Sequence, residues 1–151
     1  MSGDPRHMAV MQSTGISRLR GLRERLSQAS LHEAEQGRDE AFEKRNATLC
    51  DMQSALDFWQ GLLRHDFNPD LVHVAAQAML HKEAEVQSAT TAYTSADKRF
   101  LLARQDLSQA RVARELATVL QEQAAKSLIT ARFEIQNREA EQAFLNRRVR
   151  G

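Results

Sequence analysis

Five histidines, one cysteine and 20 acidic residues are the groups with which this 151-residue chain could do chemistry. A metal or di-iron centre on helices needs histidines at i,i+4 or a Glu-x-x-His step, so that two ligands share one face. His32, His65, His73 and His81 offer neither spacing. Phosphate chemistry needs a glycine-rich loop, and acyl transfer on a hydrolase fold needs a Gly-x-Ser-x-Gly elbow; the chain has neither. Cys50 is the only thiol, and it reads as a small buried or boundary residue with no basic partner to activate it. Carboxylates are plentiful, but thin helices enclose no pocket in which one could act as a general acid. No catalytic residue, cofactor or metal is expected, and the chain is not expected to be an enzyme.

The stretch that organises the chain runs from Val72 to Ala110. Large residues recur at every seventh position: Val72, Met79, Val86, Tyr93, Phe100 and Leu107. Three residues after nearly all of them comes an alanine (Ala75, Ala89, Ala96, Ala103, Ala110), with Lys82 as the exception. A sustained 3-4 spacing is a coiled-coil seam, and alanine on the seam lets a second helix approach towards the short end of the roughly 8–10 Å axial range. The partner helix lies upstream. Its stripe opens as Ile16, Leu19, Leu22, Leu26 and Ala29 and weakens from His32 to Asn46 around Gly37, where a register stutter is expected. It resumes as Phe42, Leu49, Met52, Leu56, Trp59 and Leu63.

The chain folds back at His65-Asp66-Phe67-Asn68-Pro69-Asp70. Asn before Pro leaves the helical region, and Asn68, Pro69 and Asp70 suit the cap, first position and first turn of a new helix. Folding there pairs positions whose numbers sum to about 135, so Leu63 meets Val72, Leu56 meets Met79, Leu49 meets Val86 and Phe42 meets Tyr93. The expected fold is all-α: a long two-helix antiparallel coiled-coil hairpin. Helix one spans about 13–65, the turn 66–69 and helix two about 69–147, in one domain over 13–148. Ser13 or Thr14 would cap helix one. Residues 1–12 read as a cloning remnant or a disordered leader, with the native start at Met8 or Met11.

On this plan the residues after about Ser127 overhang helix one by about 25 positions. Leu128, Ile129, Phe133, Ile135, Phe144 and Leu145 then lack an internal partner, which predicts a partner or self-association. Basic residues gather in the terminal segments: Arg18, Arg20, Arg23 and Arg25 near the start, and Lys126, Arg132, Arg138, Arg147, Arg148 and Arg150 near the end. At the turn, half of the patch Phe58, Trp59, Leu62, Leu63, Phe67, Leu71 must be seam. Phe58, Leu62 and Phe67 are expected on the surface, where they either close the hairpin tip or contact a partner.

Composition sets the outer bounds. Hydrophobic residues make up 42% of the chain, but 22 of them are alanine, and aromatics are 5%; such a chain builds a long thin core. A net charge of +1 argues against a dedicated nucleic-acid binder. The apolar runs are too short for a membrane span or a signal peptide, and a lone cysteine suits a reducing cytosol.

These features resemble the FliJ/YscO stalk proteins of flagellar and virulence type III secretion. The matching stretches are Ser17-Arg18-Leu19-Arg20-Gly21-Leu22-Arg23, Trp59-Gln60-Gly61 before the turn, the Asn-Pro-Asp-Leu turn with its Ala- and Gln-rich helix, and the tail Gln136-Asn137-Arg138-Glu139-Ala140-Glu141-Gln142. The resemblance implies a cytoplasmic protein peripheral to the inner membrane. Its terminal end would insert into the export ATPase hexamer and promote assembly and activity. Its turn end would face the export gate protein, and export chaperones would be further partners. Mapped onto this chain, the ATPase end is Arg18, Arg20, Leu128, Phe133, Ile135, Phe144, Arg147, Arg148 and Arg150, and the gate or chaperone end is Phe58, Leu62 and Phe67. No nucleic acid and no integral membrane segment are implied. Two rival readings are a free cytosolic chaperone or adaptor gripping a client helix, and a structural or nucleic-acid-associated coiled coil.

Overall fold

The computed structural model describes residues 3–65 and 67–151; Met1, Ser2 and Asp66, the last within the expected turn, lie outside the described residues. Two helices pack against each other: α1, Pro5–His65, and α2, Pro69–Arg150. No strand occurs among the described residues. Both helices start with the same device. Asn68 Oδ1 accepts the Asp70 N–H at 3.0 Å and Asn68 O accepts the Val72 N–H at 3.0 Å, with Pro69 at the first helical position. Asp4 Oδ1 likewise accepts the Arg6 N–H at 3.0 Å, ahead of Pro5. An acceptor side chain satisfies a free amide, and proline fills a position whose amide would be idle. The start expected at residue 13 is therefore wrong by eight positions. Ser13 and Thr14 are not caps; their hydroxyls donate to Val10 O within the helix, at 2.8 and 2.9 Å. Residues 5–12 are helical, not a disordered leader.

The chain divides into two compact units, Gln28–Asp106 and Met1–Ser27 with Leu107–Gly151. In the first, which contains the turn, α2 presents the expected seam. Ala75 and Ala89 are buried, and Val72, Met79, Lys82, Val86, Tyr93, Ala96, Phe100 and Ala103 are half-buried. The inward line of α1 differs from expectation. It runs Leu31, Ala34, Arg38, Ala41, Arg45, Thr48, Met52, Ala55, Trp59 and Leu62 in unbroken 3-4 steps, so there is no stutter at Gly37. Phe42 and Leu49 lie beside this line and stay 44% and 42% exposed. The register itself holds: the Phe42 and Tyr93 rings meet with centroids 5.7 Å apart.

Two arginines explain the offset. Arg38 lays its guanidinium 3.8 Å from the Phe100 ring centroid, and Arg45 lies 4.7 Å from that of Tyr93. Their stems cover apolar surface while the planar heads stack on the rings, an attraction of about 0.5–1 kcal/mol at a partly exposed site. The half-burial of Phe100 also lowers the effect of truncating it. A fully buried phenylalanine would lose about 3–5 kcal/mol on change to alanine. Here Phe100→Ala should lose about 2 kcal/mol, read from the urea midpoint at unchanged slope.

Gly37 is exposed on α1, and a Cβ there would meet nothing within 4 Å. Its backbone has no positive φ, so the residue contributes only its flexibility in the unfolded chain. Gly37→Ala should raise stability by about 1 kcal/mol in urea or thermal denaturation.

In the second unit α2 keeps its heptads, with Leu107, Ala110, Ala117, Leu128 and Ala131 buried. The α1 face against them is mostly small or polar: Val10, Ser13, Thr14, Ser17, Arg20, Gly21, Glu24 and Ser27. Gln121 Nε2 donates to Thr14 Oγ1 at 3.3 Å. The Glu24 carboxylate, only 12% exposed, is paired by Arg114 and, at 3.7 Å, by Arg111. The stripe expected on this seam points the other way, with Ile16, Leu19, Leu22 and Leu26 exposed by 49%, 67%, 55% and 71%. On α2, Leu116 and Leu120 are likewise 60% and 59% exposed. The alanine face of α2 meets serine, threonine and the paired Glu24 of α1 instead of leucine.

Candidate partner-binding surfaces

The groups able to do chemistry are spread along solvated faces. His81 Nε2 lies 3.0 Å from Glu85 one turn on, and His32 and His73 each approach a glutamine four residues later, at 3.3 Å. Among the described residues no group of three or more His, Cys, Asp or Glu is placed to hold a metal ion. Cys50 is exposed, not a buried or boundary residue as expected. The depressions along the helices, such as that lined by Gly37, Ala41, Ala96 and Arg99, are open to solvent. No helix of the described residues is long and apolar enough to cross a membrane.

The terminal unit places the expected partner residues in three separate positions. Leu128 is 9% exposed, buried where α2 packs on the first turns of α1, and is withdrawn from the surface. Because α1 begins at Pro5, the α2 overhang starts after Ala131 and is about 20 residues long, not 25. Every residue after Ala131 is exposed. In this overhang Phe133 and Phe144 are 63% and 64% exposed and share one side of the helix, since eleven positions make about three turns. Ile135, 53% exposed, falls on the opposite side. Arg147, Arg148 and Arg150 form the last turn, where cations meet the negative helix end. Arg18 is exposed and Arg20 half-buried. Both lie level with residues near Ala117, about 45 Å along α2 from Arg147, so the two basic clusters do not form one site.

At the turn, Phe58 is 61% and Phe67 79% exposed, and Phe58 packs edge-on to Trp59 with centroids 5.4 Å apart. Leu62 belongs to the seam and is half-buried, contrary to expectation. Sequence reasoning missed that the second unit carries apolar side chains on its outer faces: Ile16, Leu19, Leu22 and Leu26 on α1, and Val112, Leu116, Val119 and Leu120 on α2. The signal was present as a second stripe on α2, with Val112 and Val119 each two positions past a seam alanine. Comparison with protein-family models, curated proteins and solved structures gave no match.

Proposed function

We propose that this protein is a non-enzymatic stalk or adaptor of a type III secretion apparatus. In this reading its terminal end enters the export ATPase hexamer and promotes assembly and activity, while its turn end, through Phe58 and Phe67, meets the export gate or an export chaperone. It works in the cytoplasm, peripheral to the inner membrane. The observation that carries the reading is the bare overhang of α2: a helix end with two aromatic side chains on one face and three arginines in its last turn. Such an end suits a pore lined with acidic and apolar groups. The likeness to FliJ/YscO proteins in the turn and terminal motifs supports the same assignment. The test is stimulation of the partner ATPase by the full chain, at one chain per hexamer.

A second reading, a free adaptor that grips a client helix, is favoured by the outward leucines of the terminal unit. Stoichiometry separates the two, since an adaptor binds one client per chain.

A further inference from the structure

We infer that the outer face of the terminal unit is a self-association surface, which a second copy of this chain covers in parallel about a two-fold axis along the helices. The inference stands apart from the secretion reading and draws on different residues.

Met11, Arg18, Leu22 and Arg25 of α1 are all exposed, as are Glu115, Val119, Glu122 and Ile129 of α2. Each group lies roughly 90–180° round its helix from the packing line, in the same rotational sense. In an antiparallel pair, equal rotation places both groups on one side of the hairpin. That side alternates apolar and charged residues. Its exposed charges are Arg18 and Arg25 on α1 and Glu115 and Glu122 on α2. None of these four charged residues takes part in an ion pair among the described residues.

The spacing matches as well as the charge. Met11, Arg18 and Arg25 are one heptad apart, and so are Ile129, Glu122 and Glu115. A two-fold axis along the helices moves nothing lengthwise, so α1 of one copy meets α2 of the other in the register already seen within the hairpin. Side chains tilt towards the N-terminus of their own helix, so long antiparallel partners meet at sums slightly above the level value of about 135. The observed contacts Glu24–Arg114, Arg38–Phe100 and Arg45–Tyr93 all sum to about 138. At about 140, Met11 faces Ile129, Arg18 faces Glu122 and Arg25 faces Glu115 of the second copy. Val119 then faces Gly21, which forms the floor of a shallow depression lined by Ser17, Arg18, Leu22 and Arg25. A Cβ on Gly21 would meet nothing within 4 Å, so the depression is free to receive a side chain.

The face is about 21 Å long and two helices wide, or about 400 Å² in projection. That is below the roughly 800 Å² per partner of a tight complex. The dimer is therefore reversible, and it weakens with salt because its facing charge pairs are ionic.

Sedimentation equilibrium over a range of protein concentrations tests this. The expected species has twice the 17.1 kDa monomer mass at high concentration and dissociates on dilution. Arg18→Glu with Arg25→Glu should weaken association at least about tenfold. Adding Glu115→Arg and Glu122→Arg should restore it. Circular dichroism should show unchanged helicity in both variants, because all four residues are exposed and unpaired. Leu22→Ser offers a second route to loss of the dimer. A chain that stays monomeric at every concentration would overturn the proposal and leave the face to an acidic partner of another kind. Association that survives the arginine reversals undiminished, or that the four-fold charge swap does not restore, would overturn it too.

Discussion

Ending the chain after Arg132 should leave a folded hairpin and, on the proposed stalk reading, abolish stimulation of the export ATPase. The position of the cut follows from the packing. Leu128 and Ala131 are 9% and 4% exposed against the first turns of α1, so a cut after Ser127 would remove buried contacts and mix folding with function. After Ala131 every residue is exposed, and the remaining segment contributes nothing to the hairpin core. It does contain Phe133, Phe144 and the three arginines of the last turn. The measurement is the ratio of ATPase rates with and without this protein, for the full and shortened chains, with circular dichroism and urea midpoints as folding controls. A companion variant, Arg147→Glu with Arg148→Glu and Arg150→Glu, should chiefly slow association and change its salt dependence. Undiminished stimulation by the folded, shortened chain would move the working site to Phe58 and Phe67 and make the adaptor reading the better one.

The second large effect concerns the alanine seam. Ala110→Phe combined with Ala117→Phe should destabilise the protein by about 4 kcal/mol, at about 2 kcal/mol for each overpacked site. The two alanines are 5% and 4% exposed, and a ring at either position must push α1 away. The substitutions are one heptad, or about 10 Å, apart and should be close to additive. A small protein has only about 5–15 kcal/mol in all, so the double variant should be largely unfolded near its former midpoint. Leu116→Ala, next to Ala117 in sequence but on the exposed face, should change stability by less than about 0.5 kcal/mol. If Leu116→Ala proved as damaging as the alanine substitutions, the packing line of α2 would lie elsewhere.

That contrast marks what the sequence discloses. The two helices, the turn at Asn68-Pro69 and the α2 seam from Val72 to Ala110 could all be read directly, because large and small residues alternate there with one unbroken period. The Phe42–Tyr93 pairing followed from counting back through the turn. The α1 seam could not be read by looking for apolar residues, for two physical reasons. In the turn unit its inward positions include Arg38 and Arg45, whose long stems and flat heads do the covering that leucine does elsewhere. In the terminal unit they include Ser17, which is small, and Glu24, which is paired, while Ile16, Leu19, Leu22 and Leu26 face out. The early start of α1 was legible in Asp4-Pro5, the same device that opens α2. The residues expected to meet a partner were chosen by type, and their grouping was not legible: Ile135 shares no face with Phe133, and Arg18 lies far from Arg147.

The buried residues of the described chain all belong to α2; α1 has none. An amide in α1 therefore never lies deep beneath side chains, and its protection from exchange with solvent depends on the helix staying closed turn by turn. Within the terminal unit the buried apolar side chains are all on α2, and α1 covers them with Val10, serines, a threonine hydroxyl and one paired carboxylate. Sub-global opening there needs only that α1 unzip from Asp4 inwards, with α2 left intact as a template for its return. Such a segment belongs to the low-energy end of the range of local openings. Detachment of α1 would expose the alanine face of α2, Ala110, Ala117 and Ala131, beside the outer leucines.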